Sequence, residues 1–256
     1  MDADRAAVYH LEGGRLIESA PDAYFSFLGE CGHVISLVGG GGKTTIMHDL
    51  ARRYAARGKK TAVTTTTKIG QPASFCRNME DCRACWREGR FAVCGEPLGN
   101  GKLTAPAYLE QILDEADAVL IEADGARKLP CKAPAVHEPV IIPRTDIVIA
   151  VMGLDALGQA IDDCCLRSDH VQRILGCGGG HALTCEDMAA LLLSEQGSRK
   201  DVGGRMYYTL LNKCDDAQRM EAGRRILTLL REAGHTRAAL TAGMRRSEEF
   251  EFAAGR

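Results

Sequence analysis

The residues of this 256-residue chain best suited to chemistry stand behind three apolar runs. Behind the first, Gly39, Gly40, Gly41 and Gly42 lead directly into Lys43, Thr44 and Thr45. Glycines let backbone N–H groups approach phosphate oxygens closely, and a helix beginning at the lysine adds unpaired N–H groups and a positive dipole end. Lys43 is expected to stand exposed in this cradle and reach the outer phosphates, with the Thr44 hydroxyl on Mg²⁺. Behind the second, Glu122, Asp124 and Gly125 end the run Ala118 to Ile121. Carboxylates there could complete the metal shell, with Thr44 and Asp124 as the expected ligands, or position an attacking water. Behind the third, Met206 to Leu211, come Asn212, Lys213 and Asp215. An aspartate so placed can accept two N–H donors from guanine, a pair that adenine does not offer, while the lysine stem covers the ring. The alternative is that Asp215 caps the next helix, where aspartate is favoured.

These groups need strands and helices to hold them. Val34 to Val38 is β-branched and apolar and predicts a buried strand. Ile46, Leu50 and Tyr54 recur at helical spacing from Lys43 to about Ala56, and Gly58 stops them. Lys60 to Thr67 predicts a second strand whose polar end, Thr66, Thr67 and Lys68, would meet the γ-phosphate and metal. Ala107 to Glu115 predicts a helix, Asp146 to Met152 a strand and Asp169 to Leu175 a helix. Thr184 and Asp187 read as a capping box opening a helix to Leu193, and a further helix runs to about Glu232. Ala238 to Gly243 predicts a last strand, with Thr241-Ala242 near the base. Ala20 to Gly29 reads as a short helix, Met1 to Gly14 as a peripheral start, and Arg245 to Arg256 as a surface helix or tail. Ala126 to Pro143 reads as a long ordered loop carrying Arg127, Lys128, Lys132, His137 and Glu138, and loops of that length are usually functional. Apolar strands alternating with helices predict a three-layer α/β sandwich with a mostly parallel sheet, a P-loop NTPase-like fold in one domain over 1–256.

A net charge of −2 gives no bulk attraction to nucleic acid or anionic membrane. The longest apolar stretch, Val140 to Leu154, is broken by Arg144 and Asp146, so no membrane span is expected. Eleven cysteines without an export signal read as reduced thiols in the cytoplasm. Four of them, Cys76, Cys82, Cys85 and Cys94, fall in a glycine-punctuated segment, 71–105, that reads as an insertion or lid. Cys82-x-x-Cys85 has the spacing of a metal knuckle or redox pair, but Cys76 and Cys94 fit no second such pair, and buried thiols are the plainer reading.

The glycine loop, Thr64 to Lys68 (TTTTK), Glu122 to Ile141 (EADGARKLPCKAPAVHEPVI), Gly153 to Gly158 (GLDALG) and Asn212 to Asp215 (NKCD) stand in one order. Together they resemble the selenium-dependent hydroxylase accessory protein family, YqeC, from about Val34 to Asp215. The loop is a compressed G-x-x-G-K-T-T, with Leu37 where the fuller pattern has a glycine and Val38 where metal-insertion and cell-division ATPases carry an extra lysine. The resemblance implies an accessory factor in maturing selenium-dependent molybdenum hydroxylases, with such an enzyme or its cofactor as partner. With the motifs it suggests a Mg²⁺-dependent nucleoside triphosphatase favouring GTP over ATP. Lys43, Glu122, Asp124 and Arg127 are its candidate catalytic groups. Three other readings are a small-molecule kinase or ligase, a nucleotide switch that hydrolyses only with its partner, and a thiol-based selenium or sulfur carrier regulated by nucleotide.

Overall fold

The structure, a computed structural model, describes residues 6–244. Along the chain, β1 (Ala7–Glu12) and β2 (Arg15–Ser19) form a hairpin, followed by a short α1 (Pro21–Tyr24) and a 3-10 turn at Ser26–Gly29. Then come β3 (His33–Gly39), α2 (Lys43–Ala56) and β4 (Thr61–Thr65). The cysteine-rich stretch holds β5 (Ile69–Gly70), α3 (Met79–Arg87), β6 (Ala92–Val93), β7 (Glu96–Pro97) and β8 (Lys102–Thr104). After α4 (Leu109–Glu115) come β9 (Ala118–Glu122), β10 (Cys131–Lys132) and β11 (Ile147–Gly153). A helical run, α5 (Ile161–Cys164), β12 (Cys165–Leu166), α6 (Ser168–Leu175) and α7 (Cys185–Leu193), leads to β13 (Met206–Asn212), α8 (Ala217–Glu232) and β14 (Ala238–Ala242).

Nine strands form one sheet in the order β2-β1-β14-β13-β11-β3-β9-β4-β6. All neighbours from β14 to β6 are parallel, and β1 is antiparallel to both β14 and β2. A fully apolar run suits such a sheet because both faces are covered. Along β11 the two faces separate cleanly. Ile147, Ile149 and Val151 pack with Ile46, Met47, Leu50 and Tyr54 of α2, while Val148, Ala150 and Met152 pack with residues of α7 and α8. Val119 and Ile121 of β9 meet Ile112 and Leu113 of α4 and the cysteines around α3. Helix, sheet and helix make the expected three-layer sandwich.

Two elements differ from expectation. The N-terminal stretch is not peripheral: β1 pairs with β14 from Ala7↔Ala242 to His10↔Ala239 and extends the sheet. Within 71–105, β6 pairs with β4, so part of this segment is an edge of the main sheet rather than something laid over it. The expected C-terminal helix or tail lies outside the described residues.

Because seven strands run parallel, their carboxyl ends gather at one rim. Leu37 and Thr65 both pair with Glu122, Val151 pairs with Gly39, and Gly153 with Asn212. The three chemistry-bearing strand ends of the sequence therefore share one side of the sheet, where ligands of open α/β sheets bind.

Candidate nucleotide site

The glycine loop lies tight against its neighbours. A Cβ on Gly39 would come 2.3 Å from the Val151 carbonyl oxygen, and one on Gly41 would come 2.0 Å from the Gly153 nitrogen. Both positions also have φ in the left-handed region, at +94° and +71°. The loop N–H groups hold it in place: Gly39 donates to Asp124 Oδ2 (3.0 Å), Gly40 to the Val151 carbonyl (2.8 Å) and Gly41 to the Leu129 carbonyl (3.0 Å). The sequence assigned these glycine N–H groups to phosphate; the packed loop uses them internally. The open donors are instead those of the first turn of α2, at Lys43, Thr44 and Thr45, which no helical carbonyl can reach. Gly42 at the N-cap offers no side-chain acceptor, and no acidic residue stands in that turn. An uncapped helix start of this kind suits an anion.

Below the loop lies a row of buried charges. Lys43 is not exposed as expected but only 4% accessible. Its ammonium donates to the Gly39 carbonyl (2.5 Å) and faces Asp124 Oδ1 at 3.1 Å. Asp124 Oδ2 meets the Lys132 ammonium at 3.0 Å, and Lys132 also donates to the Gly125 carbonyl and Glu138 Oε2, each at 2.7 Å. Glu138 in turn takes Arg167 Nη1 at 2.9 Å and Nη2 at 3.0 Å. Burial pulls the Lys43 pKa down, but the charges of Asp124 and Glu122 more than reverse it, so it stands above the ordinary lysine value. For Glu138 burial is likewise outweighed, by Lys132 and Arg167, and its carboxyl sits below the usual range. A buried charge is tolerable when paired in this way.

Glu122 is the second buried carboxylate. The Thr44 hydroxyl donates to its Oε2 at 3.0 Å, and Thr65 braces its backbone by donating to the Glu122 carbonyl at 2.8 Å. Desolvation holds the Glu122 pKa above the ordinary value despite Lys43 and Thr44. Mg²⁺ takes oxygen ligands. Thr44 and Glu122 supply a hydroxyl and a carboxylate side by side, and they fit the ion. Asp124, the ligand expected from sequence, is faced by two ammonium groups, Lys43 and Lys132, which would repel a cation.

The other end of the rim is built on β13. Asn212 donates from Nδ2 to the Gly41 carbonyl (2.9 Å) and accepts from the Thr241 hydroxyl at Oδ1 (2.9 Å). Its amide ties β13 to the glycine loop, and Thr241 supports that tie from within β14. Lys213 takes a left-handed φ of +66° and its ammonium meets Asp155 Oδ2 at 2.5 Å. Asp215 does not cap α8. Asp216 is the N-cap, accepting from the Arg219 N–H at 2.8 Å. Asp215 keeps an exposed carboxylate, 57% accessible, with only a 3.8 Å approach from Arg219.

Of the remaining expected residues, Thr66 donates its hydroxyl to the Val140 carbonyl (2.7 Å) and its N–H to the Glu122 carbonyl (3.2 Å), so it ties the long loop to β9. The Thr67 N–H donates to the Thr65 hydroxyl (2.9 Å), and Lys68 is exposed. Arg127 is exposed with φ +48°, and it enters no ion pair among the described residues. Lys132 and Glu138 were chemical groups of a loop in the sequence and become members of the buried row. Asp155 lay within GLDALG without a role assigned to it, and no local signal would have found Arg167.

The sequence model of the YqeC protein family matches residues 35–169. An Escherichia coli (strain K12) protein described as uncharacterized protein YqeC is 33% identical over 189 residues, covering 66% of this chain and 71% of that one. Among solved structures, the signal recognition particle receptor FtsY from Elizabethkingia anophelis aligns over 94% of this chain and 72% of that chain, at a TM-score of 0.41 and 14% identity.

Proposed function

The chain belongs to the YqeC family, and we propose that it binds a nucleoside triphosphate with Mg²⁺, favours GTP over ATP, and hydrolyses it as an accessory factor. The observation that carries this is the 2.9 Å hydrogen bond from Asn212 to the Gly41 carbonyl. It joins the Asn-Lys-x-Asp segment to the phosphate loop, as one nucleotide spanning both would require. The uncapped N-terminus of α2 is offered to the phosphates, Thr44 and Glu122 to Mg²⁺, and the exposed Asp215 carboxylate to the guanine N–H pair. Lys43 opens the first turn of α2 and would neutralise the phosphates by leaving its pairing with Asp124, which Lys132 still compensates. Mg²⁺, when bound, would supply charge neutralisation at the phosphate oxygens.

The client is supported by the family resemblance alone: selenium-dependent molybdenum hydroxylases or their cofactor. Calorimetric titration with GTP and ATP, with and without Mg²⁺, tests the reading. Tighter binding of GTP by about tenfold or more is expected, because a base that covers the exposed Asp215 carboxylate without matching it strips its water at a cost of about 1–3 kcal/mol. Equal affinities would overturn the guanine preference, and binding of neither nucleotide would overturn the whole proposal.

A further inference from the structure

Cys76, Cys82 and Cys94 are scattered in sequence but meet in space, and Cys85 stands at their margin beside Cys76. The Sγ atoms of Cys76, Cys82 and Cys94 lie within 4.8 Å of one another, all three residues buried. Cys82 Sγ is 3.4 Å from Cys94 Sγ, and Cys85 Sγ is 3.7 Å from Cys76 Sγ. A tetrahedral zinc ion with Zn–S bonds of about 2.3 Å holds its sulfurs about 3.8 Å apart. We propose that these four cysteines bind one structural Zn²⁺ that clamps the 71–105 segment to the edge of the sheet.

The backbone around the thiols is already fixed. The Cys76 N–H donates to the Val93 carbonyl (2.7 Å), and the Tyr108 hydroxyl donates to the Cys76 carbonyl (2.6 Å). The Cys94 N–H donates to the Val63 carbonyl (2.8 Å), and the Thr64 hydroxyl donates to the Cys94 carbonyl (3.0 Å). Cys82 and Cys85 are three residues apart on α3 and so share a face of that helix. Three separate pieces of chain thus bring sulfur to one point with their positions set beforehand, as a closed structural site requires. Cys85 is half-buried and stands on the open side, giving the ion a way in.

The plain alternative is that these are small apolar side chains filling a core. A second thiol cluster shows what that looks like. Cys164 and Cys165 are neighbours in sequence with sulfurs 3.6 Å apart, and Cys131 reaches Cys165 from the paired strand β10, but among the described residues no three of their sulfurs gather within 4.8 Å of one another. Soft thiolate ligands select zinc, or iron in a sulfur-ligated centre, over magnesium. The clamp also has a structural use. β6 is only two residues long, and it pairs with β4 just before the Thr64 to Thr67 turn that braces Glu122.

The test uses the full chain purified under reducing conditions without added metal. One zinc per chain by elemental analysis is expected. Co²⁺ added to stripped protein should give the thiolate-to-cobalt and d–d absorption of a tetrahedral sulfur site, with release of up to one proton per ligating thiol. Cys82→Ser with Cys94→Ser should lose the metal, and Cys131→Ser should keep it. Should the double variant not fold, Cys85→Ser, at the open side, should lower zinc affinity about tenfold or more. A folded wild-type chain carrying no zinc and giving no cobalt spectrum overturns the site. So does an iron chromophore, or a persulfide or disulfide mass at these cysteines. Nucleotide binding is a separate readout, so this proposal can fail while the nucleotide reading stands.

Discussion

The two ends of the candidate site solve the problem of charge differently. At the phosphate end, Lys43, Glu122, Asp124, Lys132 and Glu138 are all buried, and each meets an opposite charge or a hydroxyl donor. At the base end, Lys213 and Asp155 are partly open, and Asp215 is exposed. Removing one member of a buried row strands its partner, whereas exposed pairs are worth little. Binding chemistry and fold stability should therefore be coupled at the phosphate end and separable at the base end.

The largest expected effect tests that coupling. Lys43→Ala should lower GTP turnover about 10²–10³-fold, the equivalent of about 3–4 kcal/mol for a preorganised charge. It should also lower the melting temperature, because Asp124 keeps only Lys132 as a charged partner. Lys213→Ala should change stability by no more than about 1 kcal/mol. If Lys213→Ala destabilises as much as Lys43→Ala, the contrast between the ends is gone.

A second pair of variants divides the phosphate end itself. Glu122→Gln should weaken Mg²⁺ binding by more than the roughly 10–100-fold lost when only an outer-shell partner is changed. Asp124→Asn should act chiefly on stability, because its carboxylate neutralises Lys43 and Lys132. Mg²⁺ titrations in the presence of GTP read both, and loss of metal affinity in Asp124→Asn alone would reverse the assignment. The raised pKa of Glu122 adds a pH dependence. Its carboxyl holds a proton more tightly folded than unfolded. Its contribution to stability is therefore full below the unfolded value of about 4.3 and lost as pH rises through the folded value. Mg²⁺ and nucleotide should flatten that slope in melting curves, since a bound cation favours the ionised form.

What could be read from sequence was local. The strand, glycine turn and helix from Val34 onward need only neighbouring residues to declare themselves, and α2 runs from Lys43 to Ala56 as its spacing implies. The apolar strands β9, β11 and β13 were equally plain, because burial on both faces leaves no alternation to misread. What was hidden depends on distant partners. Lys43 turns inward because Asp124 waits 81 residues on, as the two numbers show, and Glu138 is held by Arg167, 29 residues away. The contact of Asn212 with Gly41 spans 171 residues. The hairpin of β1 and β2 looked peripheral because Tyr9, Leu11 and Leu16 are only partly covered, and its pairing with β14 lies at the far end of the chain.

The smallest expected effects separate two adjacent aspartates. Asp215 and Asp216 are similarly exposed, at 57% and 52%, so exposure does not distinguish them. Hydrogen bonding does. Asp216 accepts the Arg219 N–H and closes the first turn of α8, while Asp215, with only a 3.8 Å approach from Arg219, follows the strand tied to the glycine loop. Asp216→Ala should cost about 1 kcal/mol of stability, the usual loss for an N-cap, and leave the nucleotide preference alone. Asp215→Asn should leave the melting temperature nearly unchanged and remove the preference for GTP over ATP, about tenfold or more, because an amide no longer matches two N–H donors. It should move that preference toward xanthosine triphosphate, whose carbonyl needs the donor that asparagine supplies. Competition binding with GTP, ATP and xanthosine triphosphate reads the preference, and differential scanning calorimetry reads the stability. If Asp216→Ala shifts the nucleotide preference and Asp215→Asn does not, the base is read by the wrong one of the two, and the base end of the site must be redrawn around the helix start.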